Sequence, residues 1–307
     1  MSVRAPFAGT SAFGAAVLRG LVERGVEVPL VLSQPDRPAG RNRRPTPPPV
    51  AALAQELGLP LVQPERAIDA HDALARLRPA AIAICAYGQI LPPELLQIAP
   101  WLNLHPSLLP RWRGAAPIER ALLAGETVTG VAVMRTDVEL DAGPLVSIEP
   151  FGIDPDDDAG AVERHALERG VPALVRALAE AAAGTLDWVP QASDGVTYAA
   201  KLERSDRLID PLADGARETA DRVRALRPRL GALLDLDGET TVIWRVAPTA
   251  EPLAPGEARV VGASLAIGLW GGSLRVEELQ SPGKRPLPVA DWLRGRRTPP
   301  TACTKPA

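Results

Sequence analysis

The chain has 307 residues, a mass of 32.4 kDa and a formal net charge of −3, which leaves room for about two domains at roughly 150 residues each. Apolar residues make up 46% and charged residues 23%, the balance of a globular rather than a disordered chain, and the longest apolar run, Ala80 to Tyr87, is far shorter than the roughly twenty residues of a membrane helix. Two cysteines (Cys85, Cys303) and three scattered histidines (His71, His105, His165) exclude a disulfide framework and a structural zinc spacing, and without a signal-peptide pattern the chain is expected to be cytoplasmic with no protein-bound metal.

In chain order, Val3–Phe7 is short and apolar, and Ser11–Arg24 repeats Phe13, Val17, Leu18 and Leu21 at helical spacing. Strands are expected at Val26–Ser33, Leu61–Gln63, Ala80–Ala86 and Leu102–His105, with helices at Val50–Leu57, Asp69–Leu77 and Pro117–Ala124. The last begins with Pro, whose missing N–H costs nothing in a first turn. Val128–Arg135 and Leu145–Glu149 read as strands flanking a turn, and Ala159–Ala183 as a long Ala-rich helix. Continuous apolar strands separated by helices predict a doubly wound, mostly parallel α/β sheet covered on both faces, with ligands beyond the carboxyl ends of its strands.

After Trp188 the texture changes. Val189–Asp210 has no clear period and is expected to cross between domains. A helix at Ala213–Leu226 precedes five short strand-like segments, Leu233–Leu236, Thr241–Val246, Glu257–Val261, Ser264–Leu269 and Ser273–Leu279. Turn signals separate them (Asp237-Gly238, Pro255-Gly256, Gly271-Gly272), and a short helix follows at Val289–Arg294. That spacing predicts a small OB-like β-barrel. The expected organisation is an α/β domain over residues 1–189, a linker over 190–205 and a barrel domain over 206–307.

Charge is unevenly spread. Residues 1–200 carry 17 basic and 23 acidic side chains, net −6, whereas residues 201–307 carry 17 basic and 14 acidic, net +3. Of the 34 basic residues 31 are Arg, which a GC-rich genome explains without function. Their clustering is more telling. Arg37, Arg41, Arg43 and Arg44 fall in an acid-free stretch of the Pro-rich segment Arg37–Pro49, too long for a plain connection, and Arg222, Arg224, Arg227 and Arg229 form a second group. Two basic patches on an acidic chain point to a polyanionic partner.

The densest chemistry lies between Asn103 and Pro117. Asn103 and His105 are two apart at the end of an expected strand, so their side chains share a face at the carboxyl edge of the sheet. An amide beside an imidazole can hold an oxyanion and move a proton; the alternative is a capping Asn and a structural His. Downstream, Asp141-Ala142-Gly143 has turn chemistry, and a carboxylate there can approach His105, favour its charged form and fix its tautomer. A structural turn Asp is the commoner explanation for an isolated Asp-x-Gly. Asp154, Asp156, Asp157 and Asp158 read as solvated loop charge, and Cys85 as core. Gly9 and Gly14 hint at a phosphate-cradling turn but fit neither G-x-G-x-x-G nor a Walker loop.

The run Asn103–Ala121, followed by Leu140-Asp141-Ala142-Gly143-Pro144-Leu145, resembles the 10-formyltetrahydrofolate-dependent formyltransferases. Phe7–Thr10, Ser33–Arg41, Ala86–Leu91, Thr197–Leu202 and Leu279–Pro286 resemble the branch of that family whose acceptor is methionyl initiator tRNA. The resemblance implies a Rossmann-like formyltransferase domain followed by a tRNA-binding barrel, and a one-carbon transferase of translation initiation. It also implies catalytic roles for Asn103, His105 and Asp141 and 10-formyltetrahydrofolate as co-substrate, with no metal. A folate pocket lined by Ser107, Leu108, Leu109 and Pro110 and by Ala86, Tyr87, Gly88, Gln89, Ile90 and Leu91 is implied as well, with Arg37, Arg41, Arg43 and Arg44 contacting tRNA. Nothing demands a dimer, and a monomer is expected.

The match is incomplete. Thr10-Ser11-Ala12 stands where the family has Thr-Pro-acid, Arg43 and Arg44 stand where lysines are common, and Arg227–Gly231 stands where a Trp-containing stretch is usual. Rival readings keep the chemistry but change the acceptor, to an aminosugar nucleotide or a glycinamide ribonucleotide, or give up catalysis for nucleic-acid binding. The first has no obvious use for the arginine loop, the second no use for residues 206–307, and the third leaves Asn103, His105 and Asp141 without a role.

Overall fold

The computed structural model describes residues 3–39 and 44–307, and the chain divides into two compact units. The first comprises Met1–Gly114, Val128–Gly152 and Glu163–Ala199; the second comprises Ala115–Thr127, Ile153–Val162 and Ala200–Ala307.

The first unit is built on a seven-stranded sheet. Its strands are β1 (Phe7–Gly9), β2 (Val31–Leu32), β3 (Leu61–Val62), β4 (Ile82–Cys85), β5 (Trp101–His105), β6 (Val128–Arg135) and β7 (Leu145–Gly152), in the order β7-β6-β5-β4-β1-β2-β3. From β3 through β5 neighbours run parallel, and β6 and β7 add antiparallel. The mostly parallel sheet is the expected one, and β1 and β4 are buried along their whole length, as strands covered on both faces must be. Strand order reverses between β1 and β4, so the crevice beyond Gly9 and Cys85 is the topological switch point.

Boundaries moved where pairing, not periodicity, decides. Val26–Ser33 pairs in the sheet only at Val31–Leu32, whereas the strand from Leu145 runs on to Gly152. Ser11 caps the helix Ala12–Glu23 by accepting a 3.1 Å bond from the Gly14 N–H, so Thr10-Ser11-Ala12 supplies a good cap. Gly9 and Gly14 serve packing: a Cβ on either would fall 2.9 Å or 2.8 Å from the Cys85 carbonyl oxygen. Cys85 itself is buried, as expected, and its thiol donates to the Leu104 carbonyl at 3.5 Å.

The second unit holds an antiparallel sheet of β8 (Ala232–Leu236), β9 (Glu239–Thr249), β10 (Ala258–Val261), β11 (Ser264–Leu269), β12 (Gly272–Gln280), β13 (Leu287–Pro288) and β14 (Cys303–Thr304). The order is β10-β11-β12-β9-β8-β14, with β13 paired to β12. A bridge between Glu257 and Ala302, with Ala258 N–H donating to Thr301 O at 2.9 Å and Cys303 N–H to Gly256 O at 2.8 Å, joins the two edges into a barrel. Closure removes the exposed edges that would otherwise pair with another chain. Leu234, Ile243, Leu265, Ile267, Val276 and Leu279 fill the interior. All five expected strands are present; β13 and β14 are too short to carry a period. Asp237 and Gly238 both have positive φ (48° and 83°), the type I′ geometry that fits a tight hairpin between β8 and β9.

Candidate active site

Strand β5 pairs parallel with β4 and antiparallel with β6, which fixes Asn103 opposite Ile84 on one side and Met134 on the other, and His105 opposite Ala132. Side chains alternate along a strand, so Asn103 and His105 emerge on one face near its carboxyl end. Asp141 sits in the turn between β6 and β7, with φ at +48°, an unusual backbone state for a side chain that is not glycine. Gly143 makes this turn possible, because a Cβ there would overlap the Arg135 carbonyl oxygen.

The turn brings three distant residues together. Asn103 Nδ2 donates to Asp141 Oδ1 at 3.4 Å, and Asp141 Oδ2 lies 3.7 Å from His105 Nδ1. The Gly114 N–H donates to that same Oδ2 at 2.8 Å. On the far side of the ring, His105 Nε2 is 2.9 Å from the Trp112 carbonyl oxygen. A carbonyl only accepts, so in this arrangement Nε2 carries a proton and Nδ1 faces the carboxylate. Trp112 also has positive φ (60°), and its N–H donates to Thr197 Oγ1 at 2.8 Å. His105 is thus held between two residues in strained backbone states, the kind of strain that marks functional sites.

The expected folate-lining segments leave adjacent parallel strands at the same edge. Of Ala86–Leu91, Ala86, Gly88 and Ile90 are exposed, Ile90 to 91%. The Tyr87 side chain is buried with Leu30, Leu32, Leu74 and Trp101, and burial pushes its hydroxyl up to about 12. Its carbonyl accepts from Thr10 Oγ1 at 2.7 Å and Gln34 Nε2 at 2.9 Å, and Gln89 Nε2 donates to the Pro64 carbonyl at 3.1 Å. Leu91 packs against the same apolar cluster as Tyr87. Ser107 is fully buried with its hydroxyl on the Arg111 carbonyl at 2.7 Å, while Leu109 packs with Ala132, Met134 and Leu145. Leu108 and Pro110 are half-buried. Only part of each segment therefore faces outward.

The two arginine groups differ. Arg37 and Arg44 are exposed on a small hairpin pairing Arg37–Ala39 with Arg44–Thr46, with no acid in ion-pair distance among the described residues; Arg41 and Arg43 lie outside the described residues. The second group is spoken for within its unit. Arg222 pairs with Asp214 and Glu218, Arg224 with Asp221, Arg227 with Asp158 at 3.4 Å and Arg229 with Glu119 at 3.6 Å. This corrects the reading of that group as a polyanion patch. Asp158 is likewise no solvated loop charge: it accepts from the Ala161 N–H at 2.8 Å, capping the helix Ala159–Ala183.

Sequence reasoning missed Gln191 and Arg113. Gln191 Nε2 donates to the carbonyls of Asp141 and Gly143, both at 2.8 Å, and its Oε1 accepts from Arg113 Nε at 3.2 Å and Nη2 at 2.9 Å. Gln191 comes from an aperiodic segment, and only its contacts reveal it. Two clefts lie away from this site. One of about 550 Å³ is lined by Arg19, Glu23, Leu53, Glu56 and Val171, and one of about 350 Å³ by Pro93, Trp101, Thr136 and Val138. Among the described residues there is no group of three or more His, Cys, Asp or Glu able to hold a metal ion, and no helix long and apolar enough to cross a membrane.

Comparison with known proteins places the chain in a family. The family profile described as "Formyl transferase" matches residues 4–178, and "Formyl transferase, C-terminal domain" matches residues 201–297. A methionyl-tRNA formyltransferase of Halorhodospira halophila is 43% identical over 98% of this chain and 98% of its own length. Another from Geobacter sulfurreducens is 40% identical over 97% and 95%. Among solved structures, HypX from Aquifex aeolicus in complex with tetrahydrofolic acid superposes with a TM-score of 0.69 at 19% identity, covering 98% of this chain and 51% of that one. The N-formyltransferase from Helicobacter canadensis, in complex with folinic acid and dTDP-3-aminofucose, gives 0.64 at 15%, covering 92% and 100%. At such identities these two show the fold alone.

Proposed function

The chain belongs to the formyl transferase family, and from that premise we propose that it moves the formyl group of 10-formyltetrahydrofolate onto the amine of methionyl initiator tRNA. The observation that carries the chemistry is the Asp141 carboxylate set between Asn103 and His105 at the carboxyl edge of the sheet. The tRNA acceptor is supported by relatives at about 40% identity over nearly the whole chain. The sugar-directed proteins share only the fold.

When bound, 10-formyltetrahydrofolate supplies an activated formyl carbon. The residues at the sheet edge fit a flat heterocycle: Ile90 leaves an apolar surface uncovered beside the switch point, where a ring system would shield it from water. The backbone of Ala86–Leu91, with Leu108 and Pro110, would hold it. The side chains of Tyr87, Ser107 and Leu109 act from beneath, as packing.

A free α-amine has a pKa of about 7.7–8.0, and an adjacent ester lowers it, so a useful fraction is neutral near pH 7. Asn103 has a second amide hydrogen beyond the one on Asp141 and would donate it to the formyl oxygen as charge develops there, an effect worth about 10²–10³ in rate. His105 Nδ1, the ring nitrogen without a proton, would take up the amine's proton as the new C–N bond forms and pass it to the folate nitrogen whose bond to the formyl carbon breaks. Asp141 stabilises the ring while it holds that proton and fixes its orientation.

Arg37, Arg41, Arg43 and Arg44 grip the acceptor end, and the barrel domain, 206–307, holds the tRNA body through phosphate contacts, joined by the 190–205 linker to catalytic domain 1–189. The protein works as a cytoplasmic monomer. The test offers 10-formyltetrahydrofolate with methionyl initiator tRNA, an aminosugar nucleotide and glycinamide ribonucleotide in parallel. Formyl transfer to the tRNA at least 100-fold faster than to the others is expected; preference for a small amine would overturn the acceptor assignment.

A further inference from the structure

We infer that Gln191 is a positioning residue of this site, acting through the backbone of the Asp141 turn; its kinetic readout rests on the formyl-transfer reading above. Asp141 stands at φ +48°, outside the states that its side chain favours, so the turn needs external ties to persist. Gln191 supplies two of them. Each amide hydrogen of Nε2 meets one carbonyl of the turn, that of Asp141 and that of Gly143, both at 2.8 Å. The amide is itself locked, because Oε1 receives Nε and Nη2 of Arg113, a residue whose side chain is 8% exposed. These bonds also settle which end of the amide is nitrogen: Arg113 only donates and the carbonyls only accept.

Arg113 is anchored on its own account. Its N–H donates to the Thr197 carbonyl at 2.9 Å, Nη1 reaches Glu139 at 3.3 Å, and Arg113–Gly114 pairs in parallel with Tyr198–Ala199. The chain Arg113–Gln191–Asp141 thus ties one side of the turn to the segment that also carries the Gly114 N–H, the donor on Asp141 Oδ2. Losing Gln191 leaves two turn carbonyls and a buried guanidinium short of partners, and lets the carboxylate drift from His105 Nδ1. Displacement of a catalytic group by about 1 Å can cost about 10²-fold in rate.

The experiment compares the full chain with Gln191→Ala and Gln191→Glu. Glu keeps the acceptor for Arg113 but brings no N–H to the two carbonyls. We read kcat and KM for both substrates on whichever acceptor the parent uses, thermal melting, and amide hydrogen exchange over 139–143. Both variants are expected to lose about 10- to 100-fold in kcat, with KM for each substrate within about twofold, melting lowered by no more than about 5–10 °C, and at least tenfold faster exchange over 139–143. A kcat within twofold of the parent in both variants overturns the proposal, as does full activity in Gln191→Glu, which would confine the role to the Arg113 contact. A rise in KM with a fall in melting temperature overturns it in favour of plain support of the fold. If the parent formylates none of the acceptors, the functional reading fails by itself, and the exchange over 139–143 still decides whether Gln191 holds the turn.

Discussion

The backbone N–H of Gly114 donates to Oδ2 of Asp141 at 2.8 Å, and that oxygen is the one facing His105 Nδ1. The oxygen that faces the imidazole is therefore held by main chain while Asn103 Nδ2 holds the other, and backbone geometry at Gly114 enters directly into the geometry of the imidazole. Gly114 has φ of +122°, and a Cβ there would fall 2.7 Å from the Ala199 carbonyl oxygen.

Gly114→Ala should thus combine backbone strain of about 1–3 kcal/mol with a steric push against residue 199. We expect roughly a 10²-fold loss of kcat from the displaced N–H. Gly184→Ala is the control, because its φ of +70° imposes strain with nothing within 4 Å. Steady-state kinetics and melting of both variants check this; equal, small effects on turnover would remove Gly114 from the account.

Within the second unit, Arg120 grips Asp206 with two hydrogen bonds of 2.7 and 2.9 Å. Partial burial alone raises the Asp206 carboxyl, but the Arg120 hydrogen bonds, the Glu203 N–H and the charges of Arg120 and Arg222 outweigh it and hold it below the usual carboxylate range. A depressed native pKa adds stability above the unfolded value of about 3.9, and that stability is lost as pH falls through the native value. Arg120→Ala should cost about 2 kcal/mol at neutral pH, and less at an acidic pH below the native value, where the Asp206 pair is lost and only the bonds to the Ala200 and Lys201 carbonyls remain. Denaturant titrations at the two pH values test it, and a constant penalty would contradict the linkage.

Both thiols are buried, and burial pushes Cys303 up to about 12 and Cys85 further still. Unfolded thiols ionise near 8.5, so above that pH the unfolded chain releases protons that the folded one keeps, and stability falls. Cys303→Ala should flatten the decline between about pH 8.5 and 12. A thiol reagent should modify neither cysteine until the protein unfolds; prompt labelling of the native protein would contradict their inertness.

The exposed Arg44, which has no acid in ion-pair distance among the described residues, should act on nucleic acid alone. Arg44→Ala is expected to raise KM for tRNA, to lower the log–log salt slope of tRNA binding by about 0.7, and to leave KM for folate unchanged. Arg224→Ala, which breaks the pair with Asp221, should instead lower stability with little change in that slope. The reverse pattern would exchange the roles of the two groups.

Much of this is legible in the amino-acid sequence. Continuous apolar runs located β4 and β5, the period from Phe13 to Leu21 located the first helix, and the Asp237-Gly238 signal located a hairpin, because each is a local consequence of side-chain pattern. Asn103 and His105 were legible as a pair because strand alternation sets their common face. Three things were not. Val26–Ser33 has strand composition, yet its neighbours offer a continuous ladder only at Val31–Leu32, with one isolated bridge from Glu27 to Arg4. The partners of Arg227 and Arg229, Asp158 and Glu119, lie far along the chain, so a cluster of like charge gave no hint of its own neutralisation. Gln191 and Thr197 act through hydrogen bonds to residues far along the chain, from an aperiodic segment, a role that composition and period do not encode.

The central claim is that Asn103, His105 and Asp141 act as one unit. A double-mutant cycle on Asn103→Ala and Asp141→Ala, measured by single-turnover formyl transfer, addresses it most directly. Each single change should lower the rate by about 10²-fold or more, and the double variant should fall little further than the worse of the two. Losses that simply multiply, or a rate near the parent's in either single variant, would mean that the carboxylate and the amide do not work on the same carbonyl.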